Sequence, residues 1–281
     1  MKNLSVKEII NICRFLNFFP QRSSGQNFLF KKDIIREIVD SAELKKEDPV
    51  LEIGPGLGFM TEEIAFRAKE VRAVELDKRL ANYLSGKFKN KKNIKIVNQD
   101  IFKINLKKYF KDSEYILISN LPYNITSLVI RNFLSQPPRP KKMILTIQKE
   151  VAERITAKPG EMSLLSVAAQ YYSDPEIKRI IGPENFWPAP KIESALVAFN
   201  KIGRKKTEID EKKFLRLVKA GFSAKRKKLT NNLKNGLDVS PEISEKTLKK
   251  MGLRPDLRPQ DLSLENWLDL FKNLFDFCYK I

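Results

Sequence analysis

Asn120-Leu121-Pro122-Tyr123 concentrates more chemistry than any other four residues of this 281-residue chain. An asparagine side-chain carbonyl accepts a hydrogen bond from an amine N–H. Proline fixes the turn, and a backbone carbonyl beside it accepts a second N–H. A tyrosine ring offers a flat face for a stacked base, worth about 1–3 kcal/mol. Together they suit an exocyclic amine on an aromatic ring. Such an amine delocalises its lone pair, and two acceptors holding its hydrogens favour a pyramidal nitrogen. Catalysis is then mostly positioning and electrostatics. That fits a chain without histidine, which excludes a Ser-His-Asp triad, a histidine base and an ordinary zinc site. Alone, the four residues also read as an ordinary turn.

The segment Leu51-Glu52-Ile53-Gly54-Pro55-Gly56-Leu57-Gly58 joins an apolar run to a helical pattern. Glycines there permit a sharp turn and close approach to a ligand, and the next helix offers free N–H groups. Glu75 follows 21 residues after Gly54 and can accept from both ribose hydroxyls of a nucleoside cofactor. The Gly-x-Gly-x-Gly spacing favours S-adenosyl-L-methionine over NAD; three turn glycines without a ligand are the plain alternative. Asp100 could bond the cofactor's adenine amine, or cap a helix. Phe186 precedes Trp187 and three nearby prolines or small residues, and its ring edge is expected against a flipped base opposite Tyr123. For Trp187 an aromatic core plug is an equal reading. Gln26-Asn27-Phe28-Leu29 by itself reads as a turn into a helix.

The elements that must position these residues alternate. Apolar runs at 50–53, 71–76, 94–97, 115–119 and 143–148 read as strands, with helical patterns such as 61–69 and 78–87 between them. That spacing predicts an α/β fold with a parallel, doubly wound sheet. A last strand pair is expected at 177–181 and 195–200. Residues 1–48 read as helical and polar, with a turn at 24–27. Composition turns basic and polar at 201–207, and everything after it reads helical. Phe214, Leu217, Val218 and Phe222 follow helical spacing. Ser263 is a good N-cap for a helix carrying Leu264, Trp267, Leu268 and Phe271. The division predicted is 1–203 as a catalytic domain and 204–281 as a small all-helical domain.

Lys and Arg total 53 against 34 Asp and Glu, a net charge of +19. That field favours nucleic acid as partner; a generally lysine-rich proteome is the bland alternative, and an anionic membrane surface ranks lower. The Lys225-Arg226-Lys227-Lys228 run suits backbone phosphates, with Arg154, Lys158 and Lys191 as weaker candidates; a solvated charged face is the plain reading. Two lone cysteines, Cys13 and Cys278, suggest a reduced, cytoplasmic protein. No membrane span, signal peptide or metal site is expected.

Six segments together resemble one family: Gly-Gln-Asn-Phe-Leu at 25–29, Glu-Ile-Gly-Pro-Gly-Leu-Gly at 52–58, Glu-Leu-Asp at 75–77, Asn-Leu-Pro-Tyr-Asn-Ile at 120–125, Leu-Ser-Val-Ala-Ala-Gln-Tyr-Tyr at 165–172 and Phe-Trp-Pro-Ala-Pro-Lys-Ile-Glu-Ser at 186–194. They occur in the order found in the small-subunit (16S-type) ribosomal RNA adenine dimethyltransferases. The resemblance implies a class I methyltransferase with a mostly parallel seven-stranded sheet. It implies dimethylation of the N6 amines of two adjacent adenosines in a hairpin near the RNA's 3′ end, within an assembling subunit; separately, a monomer is expected. It implies cofactor contacts at Asn27, Leu29, Gly54, Glu75, Asp100 and Asn120; from the residues themselves Gly56 is a further expected cofactor contact, and Asn120, Leu121, Pro122, Tyr123 and Phe186 are expected at the reacting centre. Ser127-Leu128 and the 160–163 segment depart from the family pattern. The alternatives are a large-subunit adenine methylase of the macrolide-resistance type and a non-catalytic ribosome assembly factor. An NAD-dependent oxidoreductase is disfavoured by the glycine spacing.

Overall fold

A computed structural model gives the fold and describes residues 5–20, 25–110, 114–203 and 209–277. Ser24, residues 204–207 of the expected linker, and Cys278 lie outside the described residues. Nine strands form among those described: β1 (Phe28–Leu29), β2 (Pro49–Ile53), β3 (Glu70–Glu75), β4 (Ile94–Asn98), β5 (Ile116–Asn120), β6 (Lys142–Gln148), β7 (Asp174–Ile181), β8 (Phe186–Trp187) and β9 (Ser194–Asn200). Seven join one sheet in the order β4-β3-β2-β5-β6-β9-β7. The strands from β4 to β6 in that order pair parallel. β9 lies antiparallel between β6 and β7. The α/β reading therefore holds, and the five leading strands form within one residue of their predicted bounds.

Burial explains why these strands are so legible. A parallel sheet covered on both faces needs continuous apolar runs. β5 is buried from Ile116 to Ser119, and β9 from Ser194 to Phe199. The edge strand β7 instead exposes Glu176, Lys178 and Arg179, whose charges discourage pairing with another chain.

A second sheet was not foreseen. β1 pairs antiparallel with β8, matching Phe28 to Trp187 and Leu29 to Phe186. The helix expected from Asn27 onward begins only at Lys32 (Lys32–Asp40).

Packing divides the chain into two compact units, Met1–Ala152 with Ser173–Gly203, and Glu153–Tyr172 with Arg204–Ile281. Residues 153–172, expected in the sheet domain, thus fall in the second unit. Their bonds show why: the Gly160 and Met162 N–H groups both donate to the Gln260 carbonyl, at 2.8 and 3.2 Å. The Tyr172 hydroxyl donates to Glu211 at 2.6 Å, and the Tyr171 ring lies 4.8 Å from that of Phe214. The rest of the described second unit is helical, as expected. Its helix Leu264–Phe277 is capped by Ser263, whose Oγ accepts from the Asn266 N–H at 3.1 Å. Phe214, Leu217, Val218, Leu264, Trp267, Leu268 and Phe271 are buried there. No helix of the described residues is long and apolar enough to cross a membrane.

Candidate active site

The sheet order reverses beside β2: the chain runs outward through β3 and β4 on one side, then through β5 and β6 on the other. In open α/β sheets ligands bind outside the carboxyl ends of strands at such a point. The glycine loop leaves the carboxyl end of β2, and Asn120 ends β5. Two cavities open there. One, of about 640 Å³, is lined by Asp77, Gln99, Asp100 and Ile101 among others. The smaller, of about 90 Å³, is lined by Asn27, Leu29, Glu52, Gly56 and Asn120 among others. Gln26, Gly54, Glu75 and Pro122 belong to both, so they form one divided crevice. A volume of several hundred Å³ suits a nucleoside-sized ligand.

Gly54, Gly56 and Gly58 have φ of +64°, +59° and +77°, a left-handed run that side chains resist. Space is short as well: a Cβ at Gly56 would lie 2.8 Å from the Phe28 ring, and one at Gly58 2.6 Å from Leu84. The tight turn lets the Gly56 N–H donate to Glu75 Oε2 at 3.2 Å. The Asp77 N–H donates to Oε1 of the same carboxylate at 3.0 Å. One backbone donor thus orients each oxygen, and each keeps acceptor capacity for a ligand. Burial pushes the Glu75 carboxyl above its ordinary value, and these two N–H groups oppose the rise.

Asp77 does a different job two residues on. It caps the helix Lys78–Lys87, accepting from the Arg79 N–H at 2.8 Å. The Arg79 guanidinium holds the Asp77 carboxyl below its usual range. The same guanidinium donates to the Asn17 carbonyl at 2.8 Å and lies over the Phe18 ring. Phe18 in turn lines the smaller cavity.

Asn120 Nδ2 donates to the Asn27 carbonyl at 2.9 Å. That partner is an acceptor only, so the amide nitrogen must face it and Oδ1 is the side-chain acceptor left for the crevice. The Leu121 side chain is buried and its N–H donates to Thr146 at 3.1 Å, which fixes the turn to β6. The Pro122 carbonyl already accepts from the Ile125 N–H and the Thr126 hydroxyl. Tyr123 lines neither cavity of the crevice. Its hydroxyl shares a 2.8 Å hydrogen bond with Ser194 Oγ on β9, and Gly25 lies against its backbone.

The remaining assignments part ways. Asn27, Leu29, Gly54, Gly56, Glu75, Asp100 and Asn120 converge on the crevice. Asp100 caps no helix; its Oδ1 accepts from the Phe102 N–H at 2.9 Å in a turn. Phe186 does not join them. Only 3% exposed, it belongs to the hydrophobic core, because its ladder position matches the buried Leu29. The alternation of the pleat leaves Phe28 and Trp187 partly exposed instead. Lys225, Arg226, Lys227 and Lys228 lie in the second unit, all exposed, in the turn before helix Leu229–Leu237.

Three residues escaped the sequence reading. Glu52 is fully buried and lines the smaller cavity. Ser194 anchors Tyr123. Asn232, also fully buried, donates to the Gly221 and Ala224 carbonyls at 2.6 and 2.9 Å and so pins the turn that carries the basic run. An acid between Leu51 and Ile53 is the available signal for Glu52; Asn232 stands among polar neighbours in sequence and offers none.

A family model described as "Ribosomal RNA adenine dimethylase" matches residues 18–276. The chain belongs to the ribosomal RNA adenine dimethylase family. Among relatives of this dimethylase-family chain, Ribosomal RNA small subunit methyltransferase A of Dehalococcoides mccartyi (strain CBDB1) is 39% identical over 255 residues, spanning 89% of this chain and 87% of the relative. The protein of the same name from Clostridium botulinum (strain Okra / Type B1) is 35% identical over 277 residues, 97% of this chain and 99% of its own length. A crystal structure of the 23S rRNA methyltransferase ErmE superposes with a TM-score of 0.75 at 28% identity, covering 88% of this chain and 99% of that one. The dimethylase-family fold is that of the class I methyltransferases.

Proposed function

We propose that the chain is an S-adenosyl-L-methionine-dependent methyltransferase that dimethylates the N6 amines of two adjacent adenosines in a hairpin near the 3′ end of small-subunit ribosomal RNA, on an assembling subunit. The observation that carries it is Asn120: its amide is held at the end of β5 with Nδ2 committed to Asn27, so that Oδ1 is the group turned to an incoming amine. The names and 35–39% identity of relatives matching nearly full length support the small-subunit assignment.

The crevice fits the cofactor by charge as well as size. Its lining holds Glu52, Glu75, Asp77 and Asp100 against one cation, Lys78. An anionic pyrophosphate would be repelled there, whereas a cationic nucleoside is favoured. Glu75 would hold the ribose hydroxyls, Asp100 the adenine amine, and the open glycine turn would admit the rest. When bound, S-adenosyl-L-methionine supplies a methyl group already activated by its sulfonium. Asn120 Oδ1 accepts one hydrogen of the substrate amine. The Leu121 carbonyl accepts the other, because that of Pro122 is taken. Tyr123 stacks the base, with its ring held by Ser194 so that little freedom is lost on stacking. The proton leaving the methylated nitrogen passes to water, so no histidine is needed. The reading includes a monomeric cytoplasmic protein with no membrane or metal partner.

Lys225–Lys228 take RNA backbone phosphates from a turn that Asn232 keeps rigid. Changing all four to glutamine should flatten the dependence of RNA binding on salt, each lost phosphate contact reducing the logarithmic slope by about 0.7–0.9. An unchanged slope in a filter-binding titration would leave the run as plain surface. The function itself is tested by transfer of tritiated methyl groups to undermethylated small subunits, with large subunits in parallel. Labelling of adenines in the small subunit alone is expected. Labelling of the large subunit would move the chain to the activity named for ErmE, and no transfer to either would leave an assembly factor.

A further inference from the structure

On one face of the sheet the apolar pattern breaks off toward the carboxyl end of β6. Register sets Ile118 of β5, Ile144 of β6 and Ala198 of β9 side by side in one row, and Asn120, Thr146 and Leu196 in the next. One step further along β6, Gln148 lies opposite Ser194. Residues two apart on a strand share a face, and an antiparallel pair such as Gln148 and Ser194 has Cβ atoms about 4.5–5.5 Å apart. Four polar side chains thus gather where the strands end. Three are accounted for. Asn120 donates to Asn27, and Ser194 Oγ bonds the Tyr123 hydroxyl. The Thr146 hydroxyl is fully buried and closed to a ligand. Gln148 is the fourth: it is half-buried, and its amide has no hydrogen bond among the described residues. Its backbone is nonetheless fixed, because the next residue, Lys149, donates from its N–H to the Glu193 carbonyl at 3.1 Å and from Nζ to the Glu193 carboxylate at 2.7 Å.

We propose that Gln148 reads the target base: its Nε2 donates a hydrogen bond to a ring nitrogen that flanks the reacting amine, N1 or N7. The proposal rests on the reading of Tyr123 as the stacking surface and of Asn120 as the amine's acceptor. Tyr123 follows β5 and its hydroxyl reaches β9, so the side chain crosses the end of β6, which lies between those two strands. Gln148 comes up from that end, on the face of Asn120 and Ser194. A rise of about 3.3 Å per residue and a strand spacing of about 4.8 Å put the Asn120 and Gln148 backbones about 8 Å apart. Two amide side chains and the edge of a purine bridge that gap with ordinary hydrogen bonds. The chemistry matches as well. Two acceptors hold the amine, but they leave the ring nitrogens beside it, which are acceptors, without a donor. Gln148 supplies one. A guanine in the same place would turn its O6 acceptor to Asn120 Oδ1, and at N1 would meet the amide with a second donor.

The test uses the full chain, saturating methyl donor and undermethylated small subunits reassembled with adenosine, 1-deazaadenosine or 7-deazaadenosine at the two target positions. Each analogue lacks one of the two ring nitrogens. On the analogue without the contacted nitrogen, the unaltered protein should lose about three- to tenfold in single-turnover rate, the worth of one neutral hydrogen bond. Gln148→Met keeps the length of the side chain and removes the donor. It should lose the same factor on adenosine and nothing further on that analogue, because the bond is already gone. On the other analogue its loss should stay in full. Comparing variant with unaltered protein cancels whatever each analogue does to the amine itself. S-adenosylhomocysteine affinity, measured by calorimetry, should not change in Gln148→Met. Undiminished rates of the unaltered protein on both analogues overturn the proposal without any variant. An equal loss by Gln148→Met on adenosine and on both analogues also overturns it, since that is the mark of a merely structural residue. If the unaltered protein transfers nothing to subunits carrying adenosine, the proposed function itself has failed, which shows before Gln148 is touched.

Discussion

Alanine at Asn120 is expected to lower methyl transfer by about 10²–10³-fold, the usual cost of losing one preorganised partner of the reacting group, while RNA affinity changes little. The amide does two things, and alanine removes both. In the proposed function its Oδ1 is the acceptor for the amine, and its Nδ2 ties down the Asn27 carbonyl at 2.9 Å. Loss of the second could loosen the segment that lines the smaller cavity and weaken the donor site indirectly. The two effects separate kinetically. An acceptor needed at the moment of transfer shows in kcat, whereas a loosened donor site shows in the KM for S-adenosyl-L-methionine. Single-turnover rates at saturating donor should therefore carry most of the loss. Aspartate is a sharper probe: it keeps an acceptor but faces the Asn27 carbonyl with a second oxygen, so donor affinity should suffer more than in the alanine variant. A kcat for Asn120→Ala equal to that of the unaltered protein would remove the amine-positioning role.

How readily such residues could be read from the sequence follows from how locally they are determined. Strands buried on both faces are largely apolar, so β5 and β6 show as runs, while β3 and the partly exposed edge strand β4 show through their shorter apolar stretches. The glycine turn, Glu75 and Asn120 were visible because a strand end, a tight turn and an acid at a set spacing are one contiguous constraint. Phe186 was misplaced because its burial is decided elsewhere: Leu29, on a strand near the other end of the unit, sets which face of the β1–β8 ribbon turns inward. Proline-rich neighbours gave no hint of that pairing, and a two-residue strand has no period to detect. Tyr123 was recognised but its tether was not, since Ser194 lies 71 residues away. Residues 153–172 carry apolar runs that either unit could bury; the bonds to Gln260 and Glu211 that assign them are non-local. Glu52 is legible in principle as an acid between Leu51 and Ile53, but an acid beside a glycine turn equally suits an exposed strand end, and only the structure shows it fully buried.

Glu75→Ala is expected to weaken donor binding by about 1–3 kcal/mol, the cost of leaving hydrogen-bonded groups unmatched in a buried site. The loss has two sources, because the carboxylate lines the proposed donor crevice and also holds the loop. Without it the Gly56 and Asp77 N–H groups lose the acceptors that hold the glycine turn beside β3. Glutamine does not repair this: one end of its amide is a donor and would confront one of the two N–H groups. Glu75→Gln should therefore bind no better than the alanine variant, which a simple count of ligand contacts would not foresee. The pH dependence adds a sign. Only the ionised carboxylate accepts at both oxygens, and burial raises its titration above the ordinary carboxylate range. Donor affinity should thus fall as the pH drops through that raised value. Folding stability runs the other way for the same group. A raised carboxyl contributes stability that is full below its unfolded value and is lost as the pH rises through the folded one. Opposite slopes for affinity and melting temperature, both flattened in Glu75→Ala, would trace the two trends to this one side chain. Calorimetry showing unchanged donor affinity in that variant would take Glu75 out of the site.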